Sequence, residues 1–256
     1  MLRPHSERSS VRTLLSDRLA PITSSIGYLN VPLDTAAAGL LAWRRGLYGR
    51  VHARPVEGPL PRLIHHLEPL TGGSRSRELL VATRSPEWTA FFDCLLTGTD
   101  ADTAVGQLCL SLGCKGVSLA TVPHTLGTGL EPQGRYGAVQ MTLYGPLRTD
   151  WLNRVRSISV AHDGSRWRFD ADGTEQDFET PSAYTRRKIR DRFTSDMLAE
   201  YCAALGIEPF DEAFYGPAGV LVTSDVPTAP EGKVLRLTEA QAWFGIRPGA
   251  SEQVPG

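Results

Sequence analysis

Two Asp-Gly pairs, Asp163-Gly164 and Asp172-Gly173, stand nine residues apart in the second half of this chain. They constrain its fold more than any other feature. Asp-Gly accepts the positive φ angles of the tight turns whose twist matches paired strands, so each pair predicts a hairpin. The flanking runs at 154–161, 165–171 and 174–179 have strand length. Alternation puts Trp167 and Phe169 on one face and Arg166 and Arg168 on the other. The segment 154–179 therefore reads as an antiparallel meander with one buried and one wet face.

The rest of the chain supplies more strands than helices. Strand patterns occur at 25–31, 50–56, 78–83, 88–94, 115–123 and 135–144. Asp34 is placed to cap a helix over 36–45, and Gly46 to stop it. Pro61 opens a short helix over 61–67. Val105, Leu108, Cys109 and Leu112 follow helical spacing between the caps Thr99-Asp100 and the stop Gly113. Thr194 caps a helix over 195–205, and Gly206-Ile207 has the form of a Schellman ending. The sum predicts an α+β fold: a mainly antiparallel sheet with a C-terminal β-meander and helices packed on one face. Residues 1–24 are expected to form an N-terminal arm, poorly ordered or a short helix. Residues 25–224 form the globular region, with 70–76 as the candidate sub-domain boundary. Residues 225–256 read as a Pro-rich C-terminal tail with one apolar turn at 240–244 able to dock.

Charge narrows the partners. The formal net charge is -1, whereas nucleic-acid binders usually carry a clear basic excess, so nucleic acid is disfavoured. No window approaches the ~18 uninterrupted apolar residues of a membrane span, so no membrane association is expected. The first two dozen residues lack the apolar stretch of a secretory signal. Cys94, Cys109, Cys114 and Cys202 include no pair at zinc-knuckle or thioredoxin-like spacing, which fits reduced, structural thiols in a cytoplasmic protein. The nucleophile elbow, the Walker A loop, the dinucleotide fingerprint and the H-E-x-x-H zinc motif are all missing from the sequence, and no cofactor or metal is expected.

Few residues invite chemistry. His65-His66 with Glu68 is the only close histidine–carboxylate cluster, and adjacent helical residues point about 100° apart, which is poor geometry for one metal. Thr71-Gly72-Gly73-Ser74-Arg75 could wrap an anion, but glycine is also the ordinary turn residue. His124 follows a strand at the mouth of the 124–134 loop, where scaffolds tend to place functional groups. His124, Arg135 and Asp93 make the candidate ligand or catalytic site, provided the fold brings them together. Asp163 is explained by its turn. The sharpest charge feature is 185–192, with five basic residues and one acid in eight positions. Arg186, Arg187, Lys188, Arg190 and Arg192 are the candidate docking surface, since guanidinium groups bind carboxylates bidentately. The competing role is a clamp on Asp170, Asp172, Glu175 or Asp177 of the meander.

Several stretches carry a resemblance: Trp88-Thr89-Ala90-Phe91-Phe92-Asp93, Val122-Pro123-His124-Thr125, Arg190-Asp191-Arg192-Phe193-Thr194, and Leu205-Gly206-Ile207 with Pro209-Phe210 and Phe214-Tyr215. Across roughly residues 26 to 216 the chain resembles a group of uncharacterised soluble proteins of high-GC Gram-positive bacteria. Its general look is similar to that of immunity proteins of toxin systems. The resemblance implies no catalytic residue. Two readings follow. One is a non-enzymatic cytoplasmic module that binds another protein through an acidic surface, as an immunity-like partner of a toxin or effector would, with exposed aromatics near Phe214-Tyr215. The alternative is an enzyme or small-ligand binder at the 124–134 loop.

Overall fold

Alternation decides how the strands stack. In the computed structural model, which describes residues 11–126, 134–226 and 232–248, successive side chains of each central strand enter two different cores. The strands are β1 (Ser25–Leu29), β2 (Val51–Glu57), β3 (Leu70–Thr71), β4 (Arg77–Thr83), β5 (Thr89–Asp93), β6 (Gly116–Val122), β7 (Ala138–Thr149), β8 (Leu152–His162), β9 (Trp167–Gly173), β10 (Tyr215–Ser224) and β11 (Val234–Leu235). Nine of them form one sheet in the order β2-β10-β4-β5-β1-β6-β7-β8-β9, and β11 pairs with β3 in a small second sheet. Every pairing within these sheets is antiparallel. The α+β class with a sheet-dominated core is therefore as the sequence implies. Strands from both sides of residues 70–76 lie in the same sheet.

The helices do not keep to one face. They are α1 (Leu33–Tyr48), α2 (Leu60–Ile64), α3 (Ala101–Leu112), α4 (Ser195–Ala204) and α5 (Leu237–Phe244). Leu29, Leu80, Phe91, Tyr144 and Val222 pack against Leu40 of α1 and Val105 and Leu108 of α3. Tyr28, Leu79, Phe92, Leu119, Met141 and Leu221 point the other way, into a core with α2, α4, α5 and the N-terminal turns. The expectation of one covered face fails because the central strands are apolar at successive positions, as in Phe91-Phe92, and both faces must be shielded from water.

Local signals hold where the chemistry is local. The Asp100 side chain accepts the Thr103 N–H at the start of α3, and Gly113 ends it in the left-handed region. Thr194 accepts the Met197 N–H in α4. Gly46 does not stop α1; the helix runs on to Tyr48 and ends at Gly49, which takes the positive φ of 72° and donates its N–H to the Arg45 carbonyl. The meander also shifts. β8 and β9 pair from Arg156↔Gly173 to His162↔Trp167 and reverse at Asp163-Gly164, as expected. At Gly173 (φ 89°) the chain leaves the sheet, so 174–179 is not a strand. Any side chain at Gly173 would collide with the Val155 carbonyl. The exit is held by Glu179, whose carboxylate accepts from Arg156 Nε at 2.9 Å and Nη2 at 2.7 Å. The three-stranded meander is thus β7-β8-β9.

The first and last described segments are both tied in. Leu14, Leu15 and Leu19 are buried in the core. In the C-terminal segment α5 buries Leu237 and Ala240, and the Gln241 side chain donates to the carbonyls of Arg18 and Ala20. The expected apolar turn at 240–244 is the second half of this docked helix. Residues 1–10, 227–231 and 249–256 of the expected arm and tail lie outside the described residues.

One charged pair sits inside the α1 face. Arg44 is 2% exposed and Glu78 1%, and Arg44 Nε donates to Glu78 Oε2 at 2.7 Å while its Nη2 donates to the other oxygen. The guanidinium lies on the Trp43 ring, 3.8 Å from its centroid. Burial pushes the Glu78 carboxyl up, and Arg44 opposes that. A buried pair is weakly stabilising against apolar replacements, but removing one partner strands the other. Arg44→Met should therefore cost about 3–5 kcal/mol in urea unfolding, and adding Glu78→Leu should recover most of it. A single substitution costing under about 1 kcal/mol would mean the pair behaves as a solvated one.

Candidate functional site

Strand register builds the site at the free edge of the sheet. β9 is the last strand, and His162↔Trp167 is its final pair with β8. His124, just past β6, and Tyr136, just before β7, reach the same place. The His124 ring lies 4.4 Å from that of His162 and 5.5 Å from that of Trp167, centroid to centroid. Tyr136 stacks on His162 at 5.7 Å and 10°. This close approach requires Gly137: a Cβ there would stand 2.5 Å from the Trp167 ring. Gly137 N–H donates to His124 Nδ1 and Gly164 N–H to His162 Nδ1, each at 3.2 Å. Both acceptors are lone pairs, so in this arrangement each neutral ring carries its proton on Nε2. Burial, then His162 and Arg190, hold the His124 pKa below its usual value.

The basic segment lies over this edge. It is not a helix; Ile189–Asp191 makes one 3-10 turn. Arg190 stacks on Trp167 (5.0 Å from guanidinium carbon to ring centroid) and Arg192 on Phe169 (5.7 Å). Arg192 Nε donates to the Arg186 carbonyl and Arg186 Nη1 to the Asp191 carbonyl, both at 2.8 Å, so the arginines brace one another's backbone. Upstream, the Tyr184 hydroxyl donates to buried Glu179 at 2.8 Å, and its ring packs on Phe169. None of Arg186, Arg187, Lys188, Arg190 and Arg192 forms an ion pair among the described residues. The clamp on Asp170, Asp172, Glu175 or Asp177 is therefore not made. Rings, not carboxylates, hold the segment down.

The other candidate residues go elsewhere. Arg135 pairs with buried Asp17 at 2.5 Å and donates to Ser24, tying the N-terminal turns to the loop. Asp93 sits fully buried at the end of β5, accepting the N–H groups of Leu95 (2.9 Å) and Asp100 (3.0 Å), with Arg75 Nε at 3.8 Å. Each of His124, Arg135 and Asp93 has its own set of partners, and the three share none among the described residues. Residues 127–133 of the 124–134 loop lie outside the described residues. Arg75 of the glycine-rich turn is taken up by Asp93 and Asp100. His65 binds Glu68 at 2.5 Å, and no group of three metal-ligating side chains occurs among the described residues. Phe214 and Tyr215, expected at the surface, are buried instead, because the Tyr215 hydroxyl finds partners inside: Tyr28 at 2.6 Å and the Pro209 carbonyl at 2.9 Å. A cavity lined by Leu14, Ile26, Leu119, Leu198 and Phe210 measures about 10 Å³, room for one water and no organic ligand.

Sequence reasoning missed Tyr136 and the partnership of His162 with Trp167. The Asp-Gly pair alone would set His162 opposite Ser165; the connection instead spans Asp163–Arg166, closed by the Asp163 N–H on the Arg166 carbonyl, and so brings Trp167 opposite His162. No helix of the described residues is long and apolar enough to cross a membrane. Comparison with protein-family models finds no match, and neither curated proteins nor solved structures supply one.

Asp93 yields a pH signature. Burial, reinforced by Glu78, pushes its carboxyl from 3.8 up to about 7 against the pull of two backbone N–H groups and Arg75. Between roughly pH 4 and 7 the folded state holds a proton that the unfolded chain has released, so this group's stabilisation is complete below about pH 4 and lost as pH rises to 7. Asp93→Asn should remove that fall, and the difference between its urea midpoints and those of wild type across this window isolates Asp93. Parallel pH profiles for the two proteins would refute it.

Proposed function

We propose that the chain is a non-enzymatic protein-binding module that docks an acidic partner on the basic strip at the β9 edge, in the manner of an immunity-like protein neutralising a toxin or effector in the cytoplasm. What carries the reading is the set of five basic side chains without a carboxylate partner among the described residues, two of them seated on aromatic rings. A cation held over a ring has already given up much of its side-chain freedom, so less is lost when a carboxylate arrives. Arg190 and Arg192 supply oriented guanidinium groups, while Arg186, Arg187 and Lys188 are exposed, Arg186 held through Nη1 by the Asp191 carbonyl. The first pair suits bidentate recognition and the other three suit long-range attraction. Charged groups left unpaired at an edge strand also discourage sheet-to-sheet association with the wrong chain. A second reading, a small planar ligand against the rings of His124, Tyr136, His162 and Trp167, is favoured by the 53% exposure of Tyr136.

Rim charges act on association rate, and exposed substitutions shift stability by only about 0.5 kcal/mol. Crosslinking in the native host should capture a polypeptide that is lost when Arg186→Glu and Arg187→Glu are combined. With that polypeptide purified, the double variant should associate about tenfold more slowly at low salt, with an unchanged thermal transition. Identical capture by wild type and variant would overturn the docking surface. A planar-ligand site would instead respond to Tyr136→Ala and leave the arginine reversal silent.

A further inference from the structure

Cys109 lies in the last turn of α3 and Cys114 two residues beyond its end. Gly113, in the left-handed region at φ 65°, turns the chain back so that the Cys114 N–H donates to the Cys109 carbonyl at 3.1 Å. The same turn brings the two sulfurs to 4.0 Å. Cys109 is fully buried, its sulfur against the Gly116 backbone, where a Cβ would stand 2.5 Å away. Cys114 keeps 7% exposure. The other two thiols have no such neighbour. Cys94 contacts Thr71, Ser74 and Ser76, and Cys202 is sealed in the opposite core.

We infer that Cys109 and Cys114 form a reversible redox pair, in which a peroxide oxidant converts the helix-end dithiol into an intramolecular disulfide. The inference is independent of the docking surface, which lies on other elements. The asymmetry of the pair assigns the roles. At rest the Cys114 thiol points at Cys109; once Cys114 ionises, the Cys109 S–H can turn and donate to its thiolate, which lowers the Cys114 pKa and raises that of Cys109. Cys114, the more exposed and the readier thiolate, is the attacking sulfur. Its attack on hydrogen peroxide forms an S–O bond and breaks the O–O bond; hydroxide leaves and is protonated to water, giving a sulfenic acid. The Cys109 sulfur then attacks the Cys114 sulfur, forming the S–S bond as the S–O bond breaks, and the departing hydroxide takes the Cys109 proton. Two thiols and one peroxide become one disulfide and two waters. The sulfurs must close by about 2 Å, which side-chain rotation and a small shift of the turn at Gly113 can supply. A dithiol reductant reverses the reaction by exchange.

The test is intact-mass spectrometry of the reduced full chain treated with a few equivalents of hydrogen peroxide. The expected product is lighter by about 2 Da, loses two of four alkylatable thiols after unfolding, and returns to the starting mass with dithiothreitol. Cleavage before Asp102 separates Cys94 from the pair, so the crosslink should map to one peptide holding both Cys109 and Cys114. Cys109→Ser should divert oxidation to oxygen adducts on Cys114, heavier by about 16 or 32 Da. The wild-type peptide map stands alone should that variant fail to fold. Four thiols surviving treatment, oxygen addition to wild-type Cys114 with no crosslink, or a disulfide through Cys94 or Cys202 would each overturn the inference.

Discussion

Shielding both faces of the central strands is the constraint on which the rest of this structure depends. β4, β5, β1 and β6 alternate apolar side chains between two cores, with Phe91 in one and Phe92 in the other. A strand of that kind cannot present either face to water, so helices must cover both. α1 and α3 meet the demand on one side; α2, α4, α5 and the N-terminal turns meet it on the other. Fully burying a large apolar side chain gains about 1.5–3 kcal/mol, and adjacent pairs such as Phe91-Phe92 gain it only if both layers are in place. This is why the first and last described segments are anchored in the same core. Leu14 and Leu19 of the N-terminal turns and Leu237 of α5 join that core.

The polar groups inside the α1–α3 layer are costly exceptions. Arg44 and Glu78 satisfy each other, but Asp93 opposite Glu78 relies on two backbone N–H groups and a distant Arg75. These bonds fix the 95–100 loop to the end of β5 and so set where α3 begins. Asp93 is thereby explained as a structural clamp on the helix start. Its raised proton affinity follows from burial, and it has no need of a catalytic role.

The other end of the sheet obeys different rules. β9 has a neighbour on one side only, and its outward residues are half-buried or exposed. Backbone turns and arginine-on-ring contacts replace helix packing there, and among the described residues no carboxylate neutralises the strip. A protein near electrical neutrality overall thus concentrates unpaired positive charge at one edge. Charge of that sort costs little in water and gains value only when a partner excludes the water.

By itself the sequence determined the features whose causes are local. Gly164 and Gly113 supply backbone angles that other residues resist, and Asp100 and Thr194 satisfy helix N–H groups within three residues. Alternation likewise marked Trp167 and Phe169 as sharing a face. Periodicity reports that a face is covered without saying by what, so only the tertiary structure decided that helices lie on both sides of the sheet. It also decided that the chain leaves β9 at Gly173, where Glu179 meets an arginine 23 residues away. Partners distant in sequence settled Tyr215, whose hydroxyl meets Tyr28, and sent Arg135 and Asp93 to separate neighbours. The energy of a buried polar group is set by the atoms beside it, and in this fold most of those atoms come from elsewhere in the chain.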